Sequence, residues 1–273
     1  MTWVDIWKEE FMLRAMLATA LSGVACSLVG VLVVTMRLSF IGVCISHAAF
    51  AGALVGLHFG ISPLSSALVG SLLAVGVLGP LADRGNLSPD TAIGVVFSAS
   101  IALAFLLLAL LPGPKSEALS WLWGNVLTVT SDNLRVLGYV AGGIVMLTAL
   151  FFKEIQAVIF HRELASASGL PATAIFYGVL VCSGAAITAS LSAIGGLLVF
   201  SMVINPAATA YQLTYNLRNL FVLSAVFAVM AGWIGLALSV LFNLPSGAMI
   251  VLISTAGLLI AITLSPKRTG GKS

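Results

Sequence analysis

Apolar residues fill the chain in segments about as long as a bilayer is thick, and charged or turn residues separate most of these segments. A membrane-spanning helix needs about 20 apolar residues, so roughly eight to ten spans fit in the chain, and the pattern favours about nine. The predicted spans are residues 13–34, 40–60, 62–82, 91–111, 135–152, 173–190, 193–212, 219–242 and 247–265. The pattern therefore predicts the all-α class, in the form of a polytopic transmembrane helix bundle.

The composition leaves little room for a water-soluble domain beside this bundle. Hydrophobic residues make up 60% of the 273 residues and charged residues only 8%, whereas a soluble domain has about 25% charged residues. We therefore expect one transmembrane domain over residues 1–273, in a multi-pass protein of the plasma membrane. The net charge of +3 is too small and too scattered for a nucleic-acid partner. The sequence has no GxxxxGK[ST] loop, so ATP-driven work requires a separate subunit.

The distribution of basic residues predicts the orientation of the spans, because cytoplasmic loops carry an excess of lysine and arginine. One assignment gives the cytoplasmic side Arg37, Arg84, Lys153, Arg162, Arg218, Lys267, Arg268 and Lys272. The opposite side then holds Lys8, Arg14, Lys115 and Arg135. This assignment predicts an N-terminus outside the cell and a C-terminus in the cytoplasm.

Two short segments are predicted beside the spans. Trp3, Ile6 and Trp7 recur at helical spacing, which predicts an amphipathic helix lying in the membrane interface over about residues 2–12. The apolar segment over residues 121–129 is too short for a complete span. Its alternatives are a re-entrant piece, an interfacial piece, or the start of a long tilted span.

His47 is the strongest candidate in the sequence for a residue that binds a metal ion. It lies ten residues beyond Arg37 in a predicted span, and a helix rises about 1.5 Å per residue, so the imidazole is expected near mid-bilayer. Cys44 lies three residues earlier, and imidazole and thiolate are ligands for zinc and similar ions. The pair is therefore a candidate for transient metal binding. The alternative is a hydrogen-bonded histidine beside a cysteine that packs as a small apolar side chain.

The predicted spans contain no acidic residue, and none follows Glu163 in the chain. Carriers that couple to protons or sodium usually place carboxylates in mid-membrane, and an intramembrane metalloenzyme needs a hydrolytic base. The charge pattern therefore disfavours both an ion-coupled carrier and an intramembrane metalloenzyme.

The longest polar stretch on the predicted cytoplasmic side covers about residues 153–171 and contains the run HRELASASGLP. The run predicts a short helix from His161 to Ser168 that stops at Gly169, with Pro171 beyond it. A short helix held between two spans suits the docking of a cytoplasmic partner. The alternative is a solvated connector.

Several motifs resemble one transporter family. The run RLSFIGVCISHAAFAG, from Arg37 to Gly52, resembles the signature of the zinc/manganese/iron-type ABC transporter permeases. That signature typically reads Arg-Met-Ser-x-x-Gly-Asp-Ala-x-Ser-His-Ala-x-x-Pro-Gly. Further similar motifs follow in the family's order: DTAIG at 90–94, WGNVL at 123–127, RELASASG at 162–169, NPAATA at 205–210 and LPSGA at 244–248. Each motif is weak alone, but the ordered set extends the resemblance to essentially the whole chain.

The resemblance implies a transport permease, not an enzyme, with a divalent metal ion as cargo and no permanently bound cofactor. It also implies a permease homodimer, cytoplasmic ABC ATPase subunits and an extracytoplasmic metal-binding protein as partners. His47 matches the family's histidine in the metal path. The family's ATPase-coupling element matches a segment that includes Arg162, Glu163, Ala165 and Gly169.

The chain departs from the family signature beside the histidine. Val43 stands where the family has aspartate, Cys44 where it commonly has alanine, and Ala51 where it has proline. Manganese prefers oxygen ligands, so the loss of a carboxylate favours zinc or another borderline ion. We therefore expect the permease of an ATP-driven importer for a divalent transition metal, most of all a zinc-like ion. The alternatives are a permease for a chelated metal or small organic cofactor, and an ATP-independent carrier.

Overall fold

The computed structural model of the protein describes residues 9–38, 40–84, 87–112, 115–124, 126–265 and 267, without the side chains of residues 82–84, 117 and 122. In these ranges the chain forms twelve α-helices, one 3-10 turn over Val126–Thr128 and no β-strand. The helices are α1 Glu10–Thr35, α2 Ile41–Phe59, α3 Pro63–Arg84, α4 Pro89–Leu110, α5 Ser116–Trp123, α6 Ser131–Leu150, α7 Phe152–Phe160, α8 Arg162–Ala167, α9 Ala172–Ile194, α10 Gly196–Leu213, α11 Leu217–Phe242 and α12 Ser246–Thr263. The predicted all-α class is confirmed.

Nine of the described helices, α1 to α4, α6 and α9 to α12, are long and apolar enough to cross a membrane. This confirms the predicted polytopic bundle and the number of spans. The three short helices α5, α7 and α8 lie in the connections between spans. The predicted interfacial helix over about residues 2–12 lies mainly outside the described residues, and α1 includes only its end, from Glu10.

α4 and α6 begin before the predicted boundaries at residues 91 and 135, because polar residues cap their N-termini. Ser88 caps α4 and Thr130 caps α6, and each accepts a hydrogen bond from the backbone N–H three residues later, at 3.2 and 3.3 Å. As a result Asp90 and Asp132 lie in the first turns of spanning helices. A carboxylate there is favourable, because the N-terminus of a helix carries partial positive charge.

Glycines allow neighbouring spans to approach closely. One example involves α1, the most buried span among the described helices. A Cβ atom on Gly30 would lie 1.8 Å from the carbonyl oxygen of Val203, so α1 and α10 touch backbone to backbone. A Cβ atom on Gly52 would lie 2.3 Å from the carbonyl oxygen of Ser66, so α2 and α3 do the same. Close contacts between small residues are how helices associate in lipid.

The apolar segment over residues 121–129 forms the end of α5 and the 3-10 turn, so it does not start a long tilted span. Gly124 joins the two pieces with φ +69°, a conformation that favours glycine. A Cβ atom on Gly124 would lie 2.3 Å from the carbonyl oxygen of Ile194, at the end of α9. The segment is therefore held against the α9–α10 turn by a contact that has no space for a side chain.

Hydrogen bonds tie α12 to α10 at two levels. In the middle of the helices, the side-chain amide of Asn205 donates to the hydroxyls of Ser254 and Thr255, both at 3.0 Å. Beyond the end of α12, the Ser265 hydroxyl donates to the Gln212 carbonyl at 2.9 Å. Polar groups inside an apolar bundle need such partners, because lipid offers none.

The chain after α12 is also anchored to the end of α10. The Lys267 ammonium donates to the carbonyl of Tyr211 and lies 3.8 Å from the centroid of its ring. It is also 4.6 Å from the ring centroid of Tyr215. Burial lowers the pKa of Lys267, while the two rings favour its charged form.

Candidate metal path and coupling helix

The imidazole of His47 is half-buried and leans back over the preceding turn of α2. Its Nδ1 atom lies 3.0 Å from the carbonyl oxygen of Val43 and 3.5 Å from the hydroxyl of Ser46. A carbonyl oxygen only accepts, so the bond to Val43 requires the proton on Nδ1. The neutral ring then carries its lone pair on Nε2, which is the form that binds a metal ion.

Apolar side chains flank this imidazole. The ring of Phe97, from α4, meets the His47 ring edge to face, with the centroids 5.1 Å apart and the planes at 86°. Val43 is half-buried and lies one turn before His47 on α2. Phe97 was not predicted as a site residue, because one aromatic residue in an apolar span gives no signal in the sequence.

Cys44 is placed differently from His47. Its side chain is 0% exposed and belongs to the main apolar core, whereas His47 and Val43 are both half-buried. Around a helix, Val43 lies about 40° from His47 and Cys44 about 60° away on the other side. In this conformation His47 and Val43 therefore share one half-buried strip along α2, called the His47 strip below, and the Cys44 thiol lies in the core. Metal binding by Cys44 stays a prediction.

The imidazole is the strongest ligand that α2 offers to a passing ion in this strip. Among the residues that the structure describes, no three histidine, cysteine or acidic side chains are grouped closely enough to hold a metal ion. A single imidazole can give weak and transient ligation, which suits a path better than a storage site because an ion held tightly would not leave.

The short helix predicted after His161 is present as α8, and its C-terminal end is defined by two backbone hydrogen bonds. The backbone N–H of Leu170 donates to the Ala165 carbonyl at 3.1 Å, and the N–H of Gly169 donates to the Ser166 carbonyl at 3.1 Å. This pair of bonds is the Schellman motif, and Gly169 has the positive φ of +85° that the motif requires. The sequence correctly located this stop.

One face of α8 is fixed to the bundle and the other is open. Ala165 is buried against Val158 of α7 and Ala172 of α9. Glu163 is exposed, and Leu164 has an exposed fraction of 64%. The exposed face therefore offers a carboxylate beside a large apolar side chain.

Arg162 links α8 to the start of α9. Its guanidinium carbon lies 4.7 Å from the ring centroid of Phe176, and its Nη2 atom donates to the Thr173 hydroxyl at 3.4 Å. A guanidinium stacked on an aromatic ring keeps a defined direction. Arg162 therefore adds a second attachment of α8 to the spanning helix α9, beside the buried Ala165.

A family model described as the ABC 3 transport family matches residues 8–265. The chain belongs to the ABC 3 transport family. It is similar to the "Manganese transport system membrane protein MntC" of Listeria monocytogenes, with 32% identity over 96% of this chain and 94% of that protein. It is also similar to the "Manganese import system permease protein ScaB" of Streptococcus gordonii, with 27% identity over 95% of this chain and 93% of that protein.

The fold of this ABC 3 family member also matches a solved structure, "PsaBC from Streptococcus pneumoniae in complex with Fab". The TM-score is 0.87 at 28% identity, and the match covers 97% of this chain and 96% of that chain. The family resemblance expected from the motifs is therefore confirmed. Nine helices in the described part of the chain are apolar and long enough to span a membrane, and together with the family this makes the chain a multi-pass protein of the plasma membrane.

Proposed function

We propose that this chain is the permease subunit of an ATP-driven importer for a divalent transition metal ion. A separate ATPase supplies the energy, and the permease alternates between outward and inward access. The observation that carries the proposal is His47, whose Nδ1 bond to Val43 leaves the lone pair on Nε2 of an imidazole that is half-buried on a spanning helix. The relatives named for manganese transport support a metal as the cargo.

The proposed assembly is a permease homodimer with two ATPase subunits and an extracytoplasmic metal-binding protein. In a dimer, the two copies of His47 would approach the path from opposite sides and provide two nitrogen ligands. The exposed face of α8, with Glu163 and Leu164, is the proposed contact for the ATPase. Arg162, Ala165 and Gly169 would hold that face in position against α9.

The proposed cargo is a zinc-like ion, although the named relatives transport manganese. Val43 and Phe97 line the His47 strip with apolar groups, and no carboxylate stands at position 43. Imidazole suits zinc and iron, whereas manganese prefers oxygen ligands. The same apolar flanks favour a second candidate, a metal that arrives with its own chelator. Cys44 is a proposed further ligand in a conformation that exposes its thiol.

The test is elemental analysis of cells that lack this chain, grown with each candidate metal made scarce. Cells are complemented with the unaltered protein, with His47→Ala or with His58→Ala. His58 is a matched control, because it lies on the same helix but is exposed near its far end. Co-purification with the ATPase shows that each variant assembles.

We expect the content of one metal to fall in the deletion, to return with the unaltered protein and with His58→Ala, and to stay low with His47→Ala. That metal is then the cargo. If His47→Ala restores the metal fully, the proposed role of His47 is wrong. If no metal changes although the complex assembles, the free-ion cargo is wrong and a chelated or organic substrate replaces it.

A further inference from the structure

We propose that Phe97 is a positioning residue that holds the imidazole of His47 in the orientation that presents Nε2 to the passing ion. The proposal rests on the proposed function, in which His47 contacts the metal. Phe97 does not touch the ion itself. It acts through the ring of His47, and it comes from α4, a different spanning helix.

The Val43 carbonyl and the Phe97 ring restrain the imidazole in different directions. The hydrogen bond from Nδ1 to the Val43 carbonyl, 3.0 Å long, fixes one edge of the ring. A ring held at one edge still pivots about that bond. The Phe97 ring, at 86° to the imidazole plane and 5.1 Å between centroids, blocks this pivot. Removing Phe97 would therefore leave the protonated nitrogen in place but free the direction of Nε2.

Phe97 is itself held by a rigid element. Its neighbours Ile93 and Val96 on α4 are buried in the main core, with exposed fractions of 3% and 8%. Phe97 packs against the same core. The start of α4 is capped by Ser88, two turns before Phe97. The aromatic ring therefore approaches the imidazole from a fixed backbone, which is what a positioning role needs.

The competing interpretation is that Phe97 only fills space between α2 and α4. The two roles predict different behaviour when the ring is replaced by an aliphatic side chain. Phe97→Leu and Phe97→Met keep most of the apolar volume but lose the flat ring, whereas Phe97→Tyr keeps the ring. Phe105→Leu is the matched control, because Phe105 lies on the same helix with an exposed fraction of 61%.

The experiment measures metal uptake against metal concentration, with the complete transporter in proteoliposomes and zinc and manganese as the metals. An edge-to-face ring pair shifts an equilibrium by about twofold to tenfold, so we expect Phe97→Leu and Phe97→Met to lower kcat/KM by that factor. We expect Phe97→Tyr to stay within about twofold of the unaltered protein, and Phe105→Leu to change nothing. Two aliphatic variants are used so that a folding defect in one does not decide the result.

A double variant separates positioning from packing. If Phe97 acts only through the imidazole, His47→Ala combined with Phe97→Leu transports as His47→Ala does alone, because nothing remains to be positioned. Losses that multiply in the double variant would overturn the proposal, and so would normal uptake by both aliphatic variants. If His47→Ala alone transports normally, the role of His47 in the proposed function fails, and this outcome is distinct from a failure of Phe97.

Discussion

Replacing Val43 with aspartate would put a carboxylate beside the imidazole of the candidate metal path. Residues four apart on a helix have Cβ atoms about 5–6 Å apart and share a face. The structure adds that the His47 ring leans back over residue 43, since Nδ1 lies 3.0 Å from its carbonyl oxygen. Val43 is half-buried, so the new carboxylate would lie in the same strip as the imidazole.

The size of the effect follows from the charges. Two unit charges about 4 Å apart attract by about 4 kcal/mol at an effective dielectric constant of about 20, so a divalent ion and a carboxylate attract by about 8 kcal/mol. Removing water from both charges opposes most of this attraction. The attraction is equal for both divalent ions, so a tenfold change in their ratio requires manganese to keep about 1.4 kcal/mol more of it than zinc, or about one sixth of the total.

We expect Val43→Asp to raise the ratio of manganese to zinc uptake by about tenfold. Manganese gains more because it prefers oxygen ligands, whereas imidazole already suits zinc. The measurement is competitive uptake of the two radiolabelled metals into proteoliposomes that contain the complete transporter.

Val43→Asn is the matched control, because it has nearly the same shape without the charge. An unchanged ratio in Val43→Asp would refute the reasoning, and an equal rise in Val43→Asn would show that polarity, not charge, matters. If the manganese-to-zinc ratio also rises in Val43→Asp combined with His47→Ala, the new carboxylate acts independently of the imidazole.

Three further predictions concern the coupling helix and the α10–α12 tie. Glu163→Arg should leave ATP hydrolysis running while metal uptake falls about tenfold or more, measured side by side, because it reverses a charge on the proposed docking face. Gly169→Ala should lower the free energy of unfolding by about 1 kcal/mol in detergent titration, because its φ of +85° disfavours a side chain although the space around it is open. Asn205→Leu should lower that free energy by about 1 kcal/mol, and a double-mutant cycle with Thr255→Val should give a coupling of about 0.6 kcal/mol.

The sequence predicted the spans well because lipid imposes a length and a polarity that can be read residue by residue. The errors at the starts of α4 and α6 have a local cause. Ser88 and Thr130 extend the helices into polar sequence that a hydropathy pattern assigns to loops. The stop of α8 was predictable for the same local reason, since Gly169 supplies a backbone conformation that other residues avoid.

The candidate site depended on information that the sequence does not contain. Spacing places Cys44 and Val43 at similar angles from His47, on opposite sides. Which of them lies beside the imidazole depends on how α3, α4, α9 and α10 pack around α2. The contact with Phe97 has the same origin, because it joins two spans at a separation that no local pattern encodes. The same holds for the Asn205 side chain, because its partners Ser254 and Thr255 are 49 and 50 residues away in the sequence.

Contacts between packed helices connect α8, the proposed coupling helix, with α2, which carries His47. Arg162 of α8 is stacked on α9. The Tyr177 ring of α9 fills the space at Gly79 of α3, where a Cβ atom would lie 1.7 Å from the tyrosine oxygen. Farther along, Thr188 of α9 donates to the hydroxyl of Ser71 at 3.1 Å. α3 in turn touches α2 through backbone contacts between glycines. Packed interfaces shift between discrete arrangements and do not deform gradually, so these contacts support the proposed transmission of a step at α8 to the imidazole on α2, which Glu163→Arg tests.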